Sequence, residues 1–337
     1  MKSTRIVLAS RPTGMPEQEN FRTETVELPA PKPGEVLLQT LYLSLDPYMR
    51  GRMSDAPSYA PPVEVNDTMC GATVSRVVES TDPALKPGDY VLGYGGWQTH
   101  SVEHTSYLRT LDPGVAPLTT ALGVLGMPGF TAYSGLLTIG RPQPGETVVV
   151  AAATGPVGAT VGQIAKIKGA RAVGIAGGPE KVALLRDRFG FDVALDHRAP
   201  DFPDQLAAAT PDGIDVYFEN VGGPVFDAVL PRLNKFARIP VCGLVAQYND
   251  TELPPGPDRM PLLMSLILRK SLQLRGFIQT EFLDQSDEFQ AAVGTWIAEG
   301  RITYLEDVVD GLDNTVEAFR GLLTGKNLGK LVIKIAD

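Results

Sequence analysis

The sequence predicts an α/β protein in which a β-rich domain precedes a larger domain built on a parallel sheet. Its 337 residues suggest about two domains of ordinary size. Up to about residue 120, short apolar strands alternate with turns, whereas from about 125 to 305 strands alternate with helices. The second pattern is typical of a doubly wound parallel sheet, which helices cover on both faces.

The β-rich region is indicated by strands in which polar and apolar residues roughly alternate. Proline and glycine mark the turns between them, most clearly at residues 29–35 and at Lys86-Pro87-Gly88-Asp89. Short strands with regular turns favour a compact barrel-like or sandwich domain. We predict strands at residues 21–28, 36–43, 68–79, 90–94 and 97–102.

The last thirty residues have the pattern of a helix, a turn and a strand. We predict the helix at residues 313–323, the turn at 324–327 and the strand at 330–335. A terminal strand can return to complete the sheet of the first domain. We therefore expect residues 309–337 to join residues 1–124, which leaves residues 125–308 as the second domain.

The first strand of the second domain, predicted at residues 147–153, leads into the most informative turn of the chain. The spacing Ala152-x-x-Gly155-x-x-Gly158 is close to the dinucleotide-binding fingerprint. Pro156 suits the start of the helix predicted at 157–168, because its missing N–H would be unpaired there. Small residues let the backbone approach a pyrophosphate, to which the helix start offers N–H groups. We predict a dinucleotide site, with an incidental tight turn as the alternative; further strands are expected at 171–176, 192–195, 214–219, 237–243 and 272–277.

The residues after the second strand of this domain indicate which dinucleotide binds. A site that prefers NAD usually has Asp or Glu there to bind the ribose hydroxyls. This chain has Gly177-Gly178-Pro179, with no carboxylate to repel a 2′-phosphate, and Lys181 follows within one helical turn. Glu180 is a discordant neighbour that suits a helix start, and a solvated surface lysine is the alternative for Lys181. We predict NADPH as the cofactor.

Composition and charge exclude several other classes of protein. A formal net charge of −9 without a dense Lys/Arg block argues against nucleic-acid binding. Residues 6–9 are too short for the apolar core of a signal peptide, and the longest apolar run, 260–268, is interrupted by Pro261 and Ser265. Two cysteines are too few for a disulfide framework. We expect a cytoplasmic protein without a membrane segment.

Several longer motifs, in order along nearly the whole chain, point to one family. With them the chain resembles the zinc-independent medium-chain reductases of the prostaglandin reductase type, which include the bacterial NADPH-dependent curcumin reductases. Besides the turn at 152–158, the motifs are Leu45-Asp46-Pro47-Tyr48-Met49-Arg50-Gly51, Gly126-Met127-Pro128-Gly129-Phe130-Thr131-Ala132-Tyr133, Phe218-Glu219-Asn220-Val221-Gly222-Gly223, Val241-Cys242-Gly243, Gln247-Tyr248-Asn249 and Gly325-Lys326-Asn327-Leu328-Gly329-Lys330.

The resemblance implies a GroES-like β-barrel domain, a Rossmann domain, an active site in the cleft between them, and a homodimer. It also implies which residues bind NADPH. His197 stands where relatives often have Tyr, so a second phosphate contact and a neutral surface histidine remain alternatives there. The implied cofactor residues are Gly155, Pro156, Val157 and Gly158 at the pyrophosphate, Lys181 at the 2′-phosphate, Asn220, Cys242, Gly243 and Tyr248 beside the cofactor, and Phe277, Ile278, Gln279 and Asn327 at the nicotinamide.

Zinc-dependent relatives need ligands that this sequence does not supply. Ser44-Leu45-Asp46 stands where those relatives have a catalytic cysteine, and Met69-Cys70-Gly71 where they have a His-Glu pair. Two cysteines and three histidines in the whole chain cannot form a tetrahedral Cys/His set with the usual spacing. We therefore predict that the reaction uses no metal.

Reduction of a conjugated double bond is hydride chemistry that needs no Lewis acid. Hydride from NADPH attacks the β-carbon of an α,β-unsaturated ketone or aldehyde, and the enolate then needs a hydrogen-bond donor and a proton. We predict Tyr248 as the first candidate donor and Tyr48 as the second; packed structural tyrosines, with a ribose hydroxyl as donor, are the alternative. Asp46 and Arg50 are expected to pair locally, and Cys242 to be a strand residue rather than a nucleophile.

The leading hypothesis is an NADPH-dependent reductase of small-molecule enones, of which curcumin-type compounds are one example. An NADPH quinone reductase of the same superfamily and a non-catalytic NADPH-binding protein remain alternatives. A further hypothesis is that residues 254–257, with Leu262-Leu263, form a lid over an apolar pocket.

Overall fold

The chain forms two compact units. A computed structural model describes residues 1–253 and 256–337. The first unit comprises Met1–Gly123 and Glu306–Asp337, and the second comprises Val124–Leu305. The domain boundary predicted after residue 308 would cut through a strand of the first unit, which begins at Glu306.

The described elements follow one another as short strands, then strands and helices in alternation. The strands are β1 (Lys2–Leu8), β2 (Phe21–Glu27), β3 (Glu35–Ser44), β4 (Thr73–Ser80), β5 (Tyr90–Gly93), β6 (His100–His104), β7 (Arg109–Leu111), β8 (Thr147–Ala151), β9 (Arg171–Ala176), β10 (Val193–Asp196), β11 (Ile214–Phe218), β12 (Leu233–Val241), β13 (Gln273–Gly276), β14 (Glu306–Asp310) and β15 (Lys330–Lys334). The α-helices are α1 (Met49–Arg52), α2 (Met127–Ser134), α3 (Pro156–Ile167), α4 (Pro179–Asp187), α5 (Phe202–Ala209), α6 (Gly223–Val229), α7 (Met260–Lys270), α8 (Ser286–Ala298) and α9 (Thr315–Leu323). Shorter helical turns include Gly135–Gly140, Val245–Gln247 and Gln279–Gln285.

The first unit contains a sheet whose strands lie in the order β14-β15-β3-β4-β5-β7, with β6 paired to β3. A separate antiparallel pair is formed by β1 and β2. The terminal strand β15 returns to this sheet and pairs antiparallel with β3, where Val332 lies opposite Ser44. Trp97 is fully buried beneath these strands, with its ring centroid 5.5 Å from that of Phe21 and 5.4 Å from that of Phe319.

The sequence pattern did not predict β14. Its residues, Glu-Asp-Val-Val-Asp, carry three carboxylates in five positions, and Val308 is exposed. The strand therefore lacks a buried alternating face and is held at the edge of the sheet by its parallel pairing with β15.

The second unit is a parallel sheet with the strand order β10-β9-β8-β11-β12-β13, which confirms the doubly wound arrangement. Both faces are covered, because Val148 and Val150 of β8 pack into one hydrophobic cluster while Val149 and Ala151 pack into another. From β8 the chain winds to β9 and β10 on one side, and from β11 to β12 and β13 on the other. The carboxyl ends of β8 and β11 therefore flank the topological switch point, where ligands bind in open α/β sheets.

Candidate functional site

The turn after β8 has the shape that the glycine spacing predicted. Gly155 precedes α3, which begins at Pro156, one residue earlier than expected. A Cβ atom at Gly158 would lie 2.5 Å from the Ala152 carbonyl oxygen and 2.7 Å from Ala153 Cα, so only glycine fits there. No described side chain caps this end of α3, so the first N–H groups of the helix can serve an anion. The cradle therefore fits the pyrophosphate of a dinucleotide.

Asn220 joins the two strands at the switch point. It follows β11, and its Nδ2 donates to the Ala151 carbonyl oxygen at 2.8 Å. Its own carbonyl oxygen accepts from Val245 N at 3.1 Å. Asn220 thus connects the end of β8, the end of β11 and the loop after β12.

The loop after β12 brings Tyr248 to the same edge of the sheet. A Cβ atom at Gly243 would lie 3.0 Å from the Tyr248 hydroxyl and 3.5 Å from the Asn220 carbonyl oxygen, so the phenol lies directly over Gly243. Tyr248 is partly buried. Burial raises the pKa of the neighbouring Cys242 thiol to about 12, and the charge of Glu219 adds to the shift. Cys242 therefore stays protonated, which argues against a nucleophilic role.

A cluster of basic side chains surrounds the Gly177-Gly178 turn after β9. A Cβ atom at Gly177 would lie 2.9 Å from both His197 Nε2 and Arg198 Nε, so these two side chains lie over the bare backbone. Lys181 is partly buried on the first turns of α4. The pKa of His197 is below its usual value, because its surroundings partly exclude water and because the positive charge of Arg198 opposes protonation.

Arg198 was missed by the sequence analysis. It follows β10, which is adjacent to β9 only in the folded sheet. Asp196 fixes the arrangement, because its Oδ1 accepts from both Gly178 N and Arg198 N at 2.9 Å. This carboxylate is therefore directed at backbone N–H groups. The available signal was the pair His197-Arg198 directly after a strand.

The residues predicted beside the nicotinamide lie in different environments. Phe277 is 6% exposed, and its ring packs against Phe218 and Phe282 at centroid distances of 6.2 and 6.0 Å. Its side chain is therefore part of the core, which leaves the backbone for a ligand. Ile278 N donates to Glu281 Oε1 at 2.8 Å, and Gln279 is partly buried.

Tyr48, in the first unit, directly precedes α1 and is partly buried. Burial raises the pKa of its phenol well above the usual range, and the negative charge of Asp46 raises it further. Tyr48 therefore keeps its proton at neutral pH, as a hydrogen-bond donor requires. Cys70 and Arg52 also lie close enough to act on this pKa, which Cys70 raises and the positive charge of Arg52 lowers.

Asp46 has a different partner from the one expected. It is 5% exposed, its Oδ1 accepts from Lys330 Nζ at 2.7 Å, and its Oδ2 accepts from the Ser44 hydroxyl. Lys330 Nζ also donates to the Leu45 carbonyl oxygen at 2.8 Å. Arg50 instead donates through Nη2 to the Gly14 carbonyl oxygen at 2.8 Å. The turn before Tyr48 is therefore fixed by a residue of the terminal strand.

Asn327 lies in the turn before β15, also in the first unit. Its Nδ2 donates to the Gly329 carbonyl oxygen at 2.8 Å. Asp307 Oδ2 accepts from Leu328 N at 2.5 Å and from Gly329 N at 3.1 Å. Asn327 thus has a role in shaping its own turn.

The lid hypothesis falls partly outside the described residues, because Pro254 and Pro255 belong to neither described range. Leu262 and Leu263 lie on α7. Leu262 is exposed, whereas Leu263 packs against the hydrophobic cluster that contains Val149 and Ala151. Over residues 1–253 and 256–337, no helix is both long and apolar enough to cross a membrane.

Two family models match the chain. One, described as the N-terminal domain of oxidoreductase, covers residues 4–111, and the other, described as zinc-binding dehydrogenase, covers residues 156–299. The second match contains one cysteine and one histidine. Within the described part of the chain, no three His, Cys, Asp or Glu side chains are grouped to hold a metal ion. The side chains present do not fit a zinc site, and the metal-free reaction stays a prediction.

Similar proteins cover almost the whole chain. The NADPH-dependent curcumin reductase of Escherichia coli K12 is 59% identical over 336 residues, which are 99% of this chain and 97% of the relative. Prostaglandin reductase 1 of Bos taurus is 44% identical over 329 residues, 95% of each chain. The crystal structure of CurA from Vibrio vulnificus in complex with NADPH is 52% identical, covers 99% of both chains and superposes with a TM-score of 0.96.

Proposed function

The chain belongs to the family of NADPH-dependent oxidoreductases that includes curcumin reductase and prostaglandin reductase 1, and on that premise we propose its reaction. The protein reduces the carbon–carbon double bond of α,β-unsaturated ketones and aldehydes with NADPH. Curcumin-like compounds, with an extended enone, are the substrates that we propose to test first.

The observation that carries this proposal is the pairing of two anion-binding features on one edge of the sheet. The Gly155-Pro156-Val157-Gly158 turn leaves room for a pyrophosphate, and Lys181, His197 and Arg198 surround the next turn. A dinucleotide with a 2′-phosphate matches both features, because the extra phosphate needs positive charge where NAD-specific sites have a carboxylate. Asn220, Gly243 and Tyr248 extend the same edge toward the nicotinamide.

The chain's own residues then supply donors for the substrate. When bound, NADPH supplies the hydride that adds to the β-carbon of the substrate. As negative charge develops on the carbonyl oxygen, we propose that the Tyr248 hydroxyl donates to that oxygen or provides the proton for the α-carbon, with Tyr48 as the second donor. Asn327, Ile278, Gln279 and the Phe277 backbone are proposed to border the nicotinamide.

Binding and turnover should be measured in sequence. We expect calorimetry to show NADPH binding with clearly higher affinity than NADH. We then expect NADPH oxidation with a diaryl enone and a 2-alkenal, and none with the corresponding saturated ketone. A strong preference for quinones without enone turnover would replace the proposal with a quinone reductase. Tight NADPH binding without any turnover would indicate a non-catalytic binding protein.

We also propose that the protein is a cytoplasmic homodimer. The edge strand β13 is largely exposed, and Met260, Leu262, Met264 and Leu268 of α7 are each more than half exposed. Such an apolar surface beside an open sheet edge suits a second copy of the chain. Cys70 and Cys242 are both free, as is usual in a reducing compartment. Light scattering should give twice the chain mass, and fractionation should recover the protein with cytoplasmic markers.

A further inference from the structure

Glu219 is a buried carboxylate at the switch point for which the proposed reaction has so far no use. It directly follows β11 and is 2% exposed. No described Lys, Arg or His side chain forms an ion pair with it, and burial raises its pKa. A buried acid without a cation is expensive, so its presence calls for a specific role.

One oxygen of Glu219 shapes the turn that contains Asn220. Oε1 accepts from Val221 N at 2.6 Å, from Gly222 N at 2.9 Å and from the Tyr217 hydroxyl at 3.1 Å. The turn also needs glycine, because Gly222 has a φ of 76° and begins the approach to α6. The side chain therefore forms a local side-chain-to-backbone turn and sets the path of the backbone after β11.

The backbone of Glu219 joins this turn to the loop after β12. Its N–H donates to the Pro240 carbonyl oxygen at 3.0 Å, and its carbonyl oxygen accepts from Cys242 N at 2.9 Å and Gly243 N at 3.2 Å. Ala246 N then donates to the Val221 carbonyl oxygen at 3.0 Å. The loop that carries Tyr248 is thus hydrogen-bonded to the turn whose shape Oε1 sets.

We propose that Glu219 is a positioning residue for the reduction, because it holds the Asn220 turn and the loop that places the Tyr248 hydroxyl over Gly243. This inference rests on the proposed function, since it assumes that both elements serve NADPH and substrate. Only Oε1 accepts the hydrogen bonds that shape the turn, because Oε2 is buried and has no hydrogen-bond partner among the described residues. The role therefore depends on an acceptor oxygen at that point, not on a negative charge.

This distinction defines the test, which compares Glu219→Gln with Glu219→Met in the full-length protein. The glutamine retains an acceptor oxygen for Val221 N and Gly222 N, and we expect kcat and the KM for NADPH to stay within about threefold of wild type. Methionine has a similar length without an acceptor and leaves those donors unpaired. For it we expect kcat to fall and the KM for NADPH to rise, each by about tenfold or more.

The control is Glu288→Met, which removes a carboxylate that accepts from the Tyr133 hydroxyl at 2.7 Å elsewhere in the second unit. It should leave both kinetic constants within about twofold, since it removes another tyrosine–carboxylate bond, made by an exposed glutamate away from the switch point. Equal kinetics for Glu219→Met and wild type would overturn the proposal. So would a Glu219→Gln enzyme as impaired as Glu219→Met.

A second variant keeps the proposal testable if Glu219→Met does not fold. Gly243→Ala would place a methyl group 3.0 Å from the Tyr248 hydroxyl. Under saturating NADPH we expect kcat to fall at least about fivefold. Unchanged kcat would show that the placement of Tyr248 over Gly243 has no catalytic role. Wild-type kinetics separates these outcomes from failure of the proposed function itself, in which the unaltered protein would not oxidise NADPH with an enone.

Discussion

The turn of Tyr48 and the loop of Tyr248 are held in place by opposite means. In the first unit, Lys330 and Asp46 form an ion pair whose side chains are 3% and 7% exposed, and Ser44 donates to the second carboxylate oxygen. In the second unit, Glu219 is equally buried but is bonded to backbone N–H groups and a phenol. The turn of Tyr48 depends on an ion pair, and the loop of Tyr248 depends on a carboxylate that is bonded to backbone N–H groups without a cation.

The two networks also differ in their reach along the chain. Lys330 and Asp46 are 284 positions apart, so the turn before Tyr48 is complete only after the terminal strand has paired with β3. The Glu219 side chain bonds to residues two and three positions away. The position of Tyr48 is therefore coupled to global folding, whereas the position of Tyr248 is set largely by local structure and neighbouring strands.

The largest expected effect concerns the buried ion pair. Lys330→Met leaves Asp46 as an uncompensated buried charge, and we expect the free energy of unfolding to fall by about 3–5 kcal/mol. Urea denaturation followed by circular dichroism measures this. Lys334→Met is the matched control, because Lys334 pairs at 2.6 Å with the exposed Asp337, and it should leave the free energy of unfolding nearly unchanged. The double variant Lys330→Met/Asp46→Leu should recover part of the lost stability. A loss below about 1 kcal/mol for Lys330→Met alone would show that the turn of Tyr48 does not depend on this ion pair.

The comparison is sharpened by removing each phenol in turn. Under saturating NADPH we expect Tyr248→Phe to lower kcat about 100-fold and Tyr48→Phe by a smaller factor, with folding unchanged in both. Steady-state kinetics with one enone gives both values. Wild-type turnover in both variants would transfer the donor role to a ribose hydroxyl or water.

Two glycines of the turn after β8 can test whether contacts within that turn set its shape. Gly158→Ala forces a methyl group against the Ala152 carbonyl oxygen at 2.5 Å, and overpacking of this kind costs about 1–3 kcal/mol. Gly155→Ala is the control, since its nearest contact, also with that oxygen, is at 3.5 Å and its φ of −63° suits alanine. Thermal unfolding should separate the two variants. Equal stability would show that the turn can relax around either side chain.

The smallest expected effect concerns the basic cluster. Lys181→Ala should raise the KM for NADPH about tenfold and leave the KM for NADH nearly unchanged, because only NADPH carries the 2′-phosphate. Arg198→Ala should act in the same direction. Lys168→Ala, which removes an exposed lysine after α3, should change neither constant. An equal rise in the KM for NADPH and in the KM for NADH would show that Lys181 stabilises the fold instead of binding the 2′-phosphate.

Much of the second unit could be predicted because its signals are local. A β-branched run is buried on both faces of a parallel sheet, and glycine at position 158 is required by contacts within the same turn. The predicted strands over 147–153, 171–176 and 214–219 each agree with an observed strand to within two residues at either end.

By itself, the sequence determined the parallel sheet, the glycine turn at its switch point and the family to which the chain belongs, because these follow from periodicity and short motifs. Only the tertiary structure decided that Asp46 pairs with Lys330 instead of Arg50, that Arg198 lies over Gly177, and that the ring of Phe277 belongs to the core. Each of these depends on at least one segment that is separate in the chain and is brought close by the fold. Contacts of that kind are selected by burial and charge compensation across the fold, which no local pattern of residues records.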